Sequence, residues 1–293
     1  MRYATARAFR MALEQRLKTE SARSGVRLPR LRKLVVFDRL LARLLIAAPD
    51  RWLLKGALAL DYRIGAEYRT TRDLDLTRQD NESSATDDLL SAQELDLGDY
   101  FGFEIGQASA VGPGIDAVRY SLTVQLAGYR FENVGLDISF SDPRFASPEI
   151  LQGPGLLQFA DIDPISVPAI PIEQHIAEKV HAYTRVYQGR RSSSRAKDLV
   201  DLVAIQSSIR LEAGRLRDAL ELTFAARASQ TLPVELPPPP DDWASSYATL
   251  AREVELDLSP REGHRIAANF LDPILATWIP DGAIWNPRAE SWE

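Results

Sequence analysis

The sequence predicts an α/β protein with amphipathic helices at the N-terminus, a central mixed sheet and a helical C-terminal half. Three observations carry this. Apolar residues recur every three or four positions in the opening segment, alternate with polar ones in the middle of the chain, and return to a helical period after Pro171. With 293 residues, 45% of them hydrophobic, the chain can bury one large core or two modest ones. The absence of cysteine excludes disulfides and Cys-ligated zinc. No apolar run approaches the ~20 residues that span a bilayer, and the arginine-rich start lacks the apolar stretch of a secretory signal. A cytoplasmic monomer with no membrane partner is expected.

Taken in order, Ala4 to Arg23 spaces Phe9, Leu13 and Leu17 as the apolar stripe of a helix. Gly25 and Pro29 punctuate the chain, and Leu31 to Ala48 reads as a second helix with Leu34, Phe37, Leu41, Leu44 and Leu45 inward. Residues 1 to 43 carry twelve Lys/Arg against three Asp/Glu, although the whole chain sums to −6. Both helices are expected to be basic outside. Arg7, Arg10, Arg16, Arg23, Arg30 and Arg32 would then suit the phosphates of a large anionic partner such as tRNA, or form a merely solvated cationic face.

The stretch from Trp52 to Leu76, WLLKGALALDYRIGAEYRTTRDLDL, holds the densest chemistry. An apolar run that reads as a buried strand ends at Lys55 and Gly56, a short helical segment follows, and then come Asp73 and Asp75. In an extended strand both aspartates project from one face, with Leu74 and Leu76 on the other. Two carboxylates side by side repel unless a cation lies between them, and Mg²⁺, which prefers oxygen ligands, suits them. An isolated Asp-x-Asp is also compatible with a solvated loop end. Gly56 lets backbone approach a phosphate closely, Lys55 adds positive charge, and Arg69 and Thr71 are spaced to meet phosphate oxygens. Thr71 shares the face of both aspartates. A phosphoryl group there adds about −1.5 to −2 charge beside the carboxylates, so Thr71 is a candidate for regulatory phosphorylation, although Thr also simply suits a strand.

Phe101 to Gly106, Val118 to Leu126 and Val134 to Phe140 read as strands. In the last, Leu136, Ile138 and Phe140 alternate with Asp137 and Ser139. An acid inside an apolar strand is costly unless paired, bound to metal or turned to solvent at an edge. Asp142, just beyond, is expected to cap its turn. Pro164, Pro168 and Pro171 mark a linker, dividing the chain into residues 1–168 and 169–293. Beyond it Ile172, Ile176, Tyr183 and Val186 form one helical stripe with Lys179 at its centre, and Asp198 and Asp201 border the apolar face of the next helix. The lysine and the two acids would form a buried ion pair, or serve a site. Leu211 to Ala226 is helical, PVELPPPPDDW is a polyproline-like connector, and Trp243 to Glu253 and Pro260 to Thr277 are closing helices.

KGALAL followed by RTTRDLDL resembles the AbiEii/AbiGii toxins of bacterial toxin-antitoxin systems, within the polymerase-beta-like nucleotidyltransferase superfamily. The family's second signature is matched by Ala177, Glu178, Lys179, Val180, His181 and Ala182, with Arg185, Arg195, Asp198, Asp201 and Leu202. Ala57 and Val180 depart from the usual residues, and Ala57 removes a side-chain phosphate contact. The resemblance implies a polymerase-beta-like mixed sheet, with the C-terminal half completing the active-site cleft. It implies Mg²⁺ bound by Asp73 and Asp75, with Asp137 as the third carboxylate. Lys179 would meet the triphosphate, oriented by Asp198 or Asp201, with Arg185 and Arg195 nearby. Lys55, Gly56, Arg69 and Thr71 would complete the nucleotide contacts. The implied reaction moves a nucleotidyl group from a nucleoside triphosphate to the 3′ end of tRNA, blocking translation under the control of an antitoxin. A transferase acting on protein or a small molecule, and an inactive nucleotide-binding module, are the competing readings.

Overall fold

The elements follow from the periodicities just described, and a computed structural model places them. It describes residues 1–65, 71, 73–111, 116–140, 142, 144–185, 195–254 and 256–293. The chain divides into two compact units, Met1–Asp142 with Pro148–Ala169, and Pro143–Ser147 with Ile170–Glu293.

The first unit begins with α1 (Ala6–Ser24) and α2 (Leu28–Ala47), followed by β1 (Leu53–Lys55), α3 (Gly56–Ile64), β2 (Asp73–Thr77) and α4 (Glu82–Glu94). The strands β3 (Phe101–Ile105), β4 (Ser109–Ala110), β5 (Ala117–Leu126), β6 (Tyr129–Ser139), β7 (Glu149–Gln152) and β8 (Ser166–Ala169) complete it. Among the described residues these strands form an eight-stranded mixed sheet in the order β3-β5-β6-β2-β1-β8-β7, with β4 alongside β5. The β2–β6 and β1–β8 pairs are parallel. Alternation sends Leu74, Leu76, Leu136, Ile138, Val118, Tyr120 and Leu122 into one core with Phe9, Leu13 and Leu17 of α1, Leu34, Phe37, Leu41 and Leu44 of α2, and Leu89 of α4. The polar residues of the same strands are left on the opposite face.

The second helix starts earlier than its apolar pattern, because Pro29 lies in its first turn, where a missing N–H breaks no helical bond. The segment expected to be a linker contains β8: β1 is three residues long and meets β8 only at Leu54 and Ala169, so Pro168 interrupts no ladder on that side. The expectation that both N-terminal helices are basic outside fails for α2. Arg30, Arg39 and Arg43 are buried: Arg30 reaches Asp61 at 2.8 Å, Arg39 pairs with Asp38 at 2.5 Å, and Arg43 meets Asp99 through two bonds of 2.9 and 2.7 Å. Arg43 also donates to the carbonyls of Arg39, Leu95 and Phe101. Arg32, half-buried, pairs with Glu14 at 2.6 Å. Long arginine stems let α2 be apolar and still carry guanidinium groups to inward acids, and a planar fork satisfies them. The Arg30–Asp61 pair joins α2 to α3, the helix that follows Gly56.

The second unit holds α5 (Ile172–Thr184), α6 (Ala196–Ser208), β9 (Leu211–Glu212), α7 (Ala213–Arg227), α8 (Ala244–Glu253), α9 (Pro260–Leu275), β10 (Ile284–Asn286) and β11 (Ser291–Trp292). Residues 143–147 belong to it because the Phe145 N–H donates to Gln174 and Arg215 lies over the Phe145 ring at 5.6 Å. The strands form a small sheet in the order β11-β10-β9, sealed by Phe270, Trp285 and Trp292. Trp285 is fully buried, and its indole N–H finds the Gln206 carbonyl at 2.7 Å.

Arg43→Ala leaves the buried Asp99 carboxylate to the longer contact with Arg39 at 3.6 Å and to the Phe101 N–H, and urea denaturation is expected to show a loss of about 3–5 kcal/mol. A loss below about 1 kcal/mol would mean the pair behaves as a solvated one.

Candidate active site

The site is built on the sheet face that the helices leave open. Strand register decides which side chains meet there. Lys55 on β1 is opposite Asp75 on β2, Asp75 is opposite Asp137 on β6, and Asp137 is opposite Arg119 on β5. Registered neighbours point to the same side of a sheet, so one rung across four strands reads cation, anion, anion, cation. Asp73 stands two residues before Asp75 and opposite Gly135.

Both aspartates of β2 lie against a glycine. A Cβ on Gly56 would fall 2.0 Å from Asp75 Oδ2, and one on Gly135 would fall 2.3 Å from Asp73 Oδ1. Gly56 also has φ +64, a left-handed conformation that side chains disfavour. The two glycines thus leave the space the carboxylates fill. The donor set, carboxylate oxygens on adjacent strands with no soft ligand, fits a hard divalent cation such as Mg²⁺. No group of three or more acids or histidines among the described residues is already gathered to metal distance. Asp137 is engaged by Arg119, whose Nε and Nη2 each donate to its carboxylate at 2.6 Å, while Nη2 lies 3.4 Å from Asp73 Oδ2. The bonds to Asp137, reinforced by the negative charges of Asp137, Asp73 and Asp75, hold the Arg119 guanidinium well above its ordinary range.

A β-bulge sets this contact. Leu126 pairs with Tyr129 and Gln125 with Arg130, and the register then shifts between Val124 and Gln125, bringing Arg119 opposite Asp137. Without the extra residue Arg119 would oppose Leu136 and lie on the wrong side of the neighbouring strand's alternation.

The other expected residues divide between the units. Lys55 binds Asp142, which accepts from the Ser139 hydroxyl as well. Asp142, expected to cap its turn, is the lysine's counter-ion. Thr71 is 6% exposed and donates its hydroxyl to the Asp73 carbonyl at 2.7 Å, fixing the chain where β2 begins. A phosphoryl group there requires that bond to break. Arg69 and Val186 lie outside the described residues.

In the second unit Lys179, 6% exposed, meets Asp201 directly and Asp198 at 3.8 Å. Arg195 reaches Asp198 at 3.4 Å. Arg185 ends α5, and its charge, with those of Arg227 and Arg195, adds to burial in pushing the His181 imidazole down to about 4. Burial is the larger cause. His181 is therefore neutral at physiological pH, as its contacts with the Phe224 ring and the Ser229 hydroxyl accommodate.

Arg119 and Gly135 were not singled out from the sequence. The signal for Gly135 was a glycine inside a strand, which marks a close approach. Arg119 had no signal before the register was known.

A carboxylate pair beside a strand–glycine–helix turn, in a mixed sheet, places the molecule among the nucleotidyltransferases. The chain belongs to the family described as nucleotidyl transferase AbiEii toxins of type IV toxin-antitoxin systems, whose model matches residues 39–272. It is thus a nucleotidyltransferase toxin with a nucleotide substrate and an antitoxin partner. Among solved structures, the nucleotidyltransferase toxin MenT4 from Mycobacterium tuberculosis H37Rv is 21% identical over 84% of this chain and 92% of its own, with a TM-score of 0.51, a likeness of fold. JHP933 from Helicobacter pylori is 16% identical over 84% of this chain and 94% of its own, with a TM-score of 0.46. No curated protein matches the sequence. No described helix is long and apolar enough to cross a membrane.

Gly56→Ala drives a methyl group into Asp75 and strains the backbone. It is expected to cost at least the ~1–2 kcal/mol of the backbone strain alone in thermal unfolding while removing nearly all nucleotidyl transfer. Wild-type activity in a folded Gly56→Ala protein would show that Asp75 need not occupy that notch.

Proposed function

We propose that the toxin moves a nucleoside monophosphate from a nucleoside triphosphate to the 3′ end of tRNA, depends on Mg²⁺, and thereby blocks translation. The observation that carries this reading is the pair Asp73 and Asp75, each seated over a glycine on the open face of the sheet. Bound there, Mg²⁺ neutralises charge on the phosphates, which nucleotidyl transfer needs more than covalent help. The chain's own residues supply position. The first turn of α3, immediately after Lys55, has backbone N–H groups without helical acceptors, a setting that favours phosphate. Asp137 is assigned to the acceptor side of the carboxylate group, and Lys179, oriented by Asp198 and Asp201, to the triphosphate.

The acceptor class rests on α1. With Arg30, Arg39 and Arg43 withdrawn into the core, Arg7, Arg16, Lys18 and Arg23 still leave this helix exposed and basic on an acidic protein. Such a surface suits a polyanion and is superfluous for a small molecule. A protein or small-molecule acceptor is the reading this counts against.

The purified toxin is incubated with total RNA, Mg²⁺ and each labelled nucleoside triphosphate in turn. Label is expected on tRNA-sized RNA, with at least about a hundredfold loss in Asp73→Asn and Asp75→Asn. Label that persists in both variants would contradict the site, and label found only on protein or small molecules would contradict the acceptor.

A further inference from the structure

The metal-site reading leaves one strong interaction unassigned. Arg119 is not on the strand that carries the aspartate pair, yet it reaches across β6 to two of the acids at once, through two bonds of 2.6 Å to Asp137 and a contact of 3.4 Å with Asp73. Its side chain is 46% exposed and those of Asp73 and Asp137 are 38% and 21% exposed, so the group lies at the open face rather than in the core. By contrast the Arg43–Asp99 pair is only 1–2% exposed and joins α2 to the residues that lead into β3. This pair joins nothing that the ladder between β5 and β6 does not already join. Its distinguishing property is that a positive charge bonds Asp137 and touches Asp73 on the open face of the sheet.

A guanidinium that forks onto Asp137 and touches Asp73 occupies the region that a divalent cation shared by those two residues would enter. Both neutralise the same charges, and both draw on the same oxygen atoms. They compete. We propose that Arg119 is a built-in counter-cation: it keeps Asp137 and Asp73 turned toward each other when no divalent ion is bound, and it yields the carboxylates when one arrives. This rests on the reading of Asp73 and Asp75 as a cation site. Two properties follow from it. Asp73, Asp75 and Asp137 are held on one face of the sheet before metal enters, short of the distance at which three acids would share an ion. The divalent ion binds more weakly than three acids alone would hold it, because each binding event displaces a guanidinium. Arg119 is accordingly a positioning residue, acting through Asp137.

The test uses the full chain as wild type, Arg119→Ala, Arg119→Lys and the double variant Asp73→Asn/Asp75→Asn. Mn²⁺ binding is followed by the loss of free-ion signal in electron paramagnetic resonance, and thermal unfolding is recorded in EDTA and in Mg²⁺. Arg119→Ala is expected to bind Mn²⁺ at least about fivefold more tightly than wild type, the lower bound that one unit charge at ~4 Å sets in bulk water. It should melt lower than wild type in EDTA and recover in Mg²⁺. Arg119→Lys keeps the charge without the fork and should fall between the two, which preserves the test if the alanine variant does not fold. Mn²⁺ affinity that is unchanged or weaker in both Arg119 variants, or a melting deficit that Mg²⁺ does not reduce, overturns the proposal while leaving the aspartate site standing. Mn²⁺ binding in wild type no stronger than in the double aspartate variant overturns the cation site and the proposal together.

Discussion

The constraint on which the rest of the first unit depends is the crowding of three carboxylates on one open sheet face. Parallel pairing of β2 with β6 puts Asp75 directly beside Asp137, and the two-residue period puts Asp73 on the same side. Negative charges that close are tolerated only with countercharge and room. Room comes from Gly56 and Gly135, whose missing side chains leave the volumes that Asp75 and Asp73 fill. Countercharge comes from Arg119 on one flank, and Lys55 on the other is in turn neutralised by Asp142. The apolar alternation beneath, from Leu74 to Ile138, fixes this arrangement in place, because slipping any strand by one residue would bury the acids and expose the core.

The buried ionic network behind the sheet has a related logic. Arg43 places five hydrogen bonds on Asp99 and three carbonyls, so the guanidinium is fully satisfied despite being almost wholly buried. Arg30 ties α2 to Asp61 on α3, and α3 begins at the glycine that faces Asp75. Charges that look from the sequence like a cationic surface are in part the fasteners that position the site helix. In the second unit Lys179, Asp198, Asp201 and Arg195 form a comparable cluster around the α5–α6 pair.

Local patterns made much of this legible in the sequence. The alternation around Asp137 and the inward positions of Lys179, Asp198 and Asp201 were readable because a charge in an apolar stripe breaks a short-range period. Arg119 was not readable, since its meeting with Asp137 depends on the bulge between Val124 and Gln125, and a hairpin counted back from Ala127 and Gly128 without that bulge assigns the wrong partner. The burial of Arg30 and Arg43 was missed for a similar reason: their partners Asp61 and Asp99 lie far away in the chain, and composition counts charges without pairing them; Arg39 pairs with the adjacent Asp38, and only its longer contact is with Asp99. The strands β9, β10 and β11 are two or three residues long, too short for any period to show.

The central claim is that Asp73 and Asp75 hold a divalent cation. Anomalous diffraction from crystals of the toxin grown with Mn²⁺ and a non-hydrolysable nucleoside triphosphate tests it most directly. The account predicts an anomalous peak within coordination distance of both carboxylates, on the open face of the sheet. A manganese peak bound to the nucleotide phosphates but out of reach of Asp73 and Asp75 would contradict it.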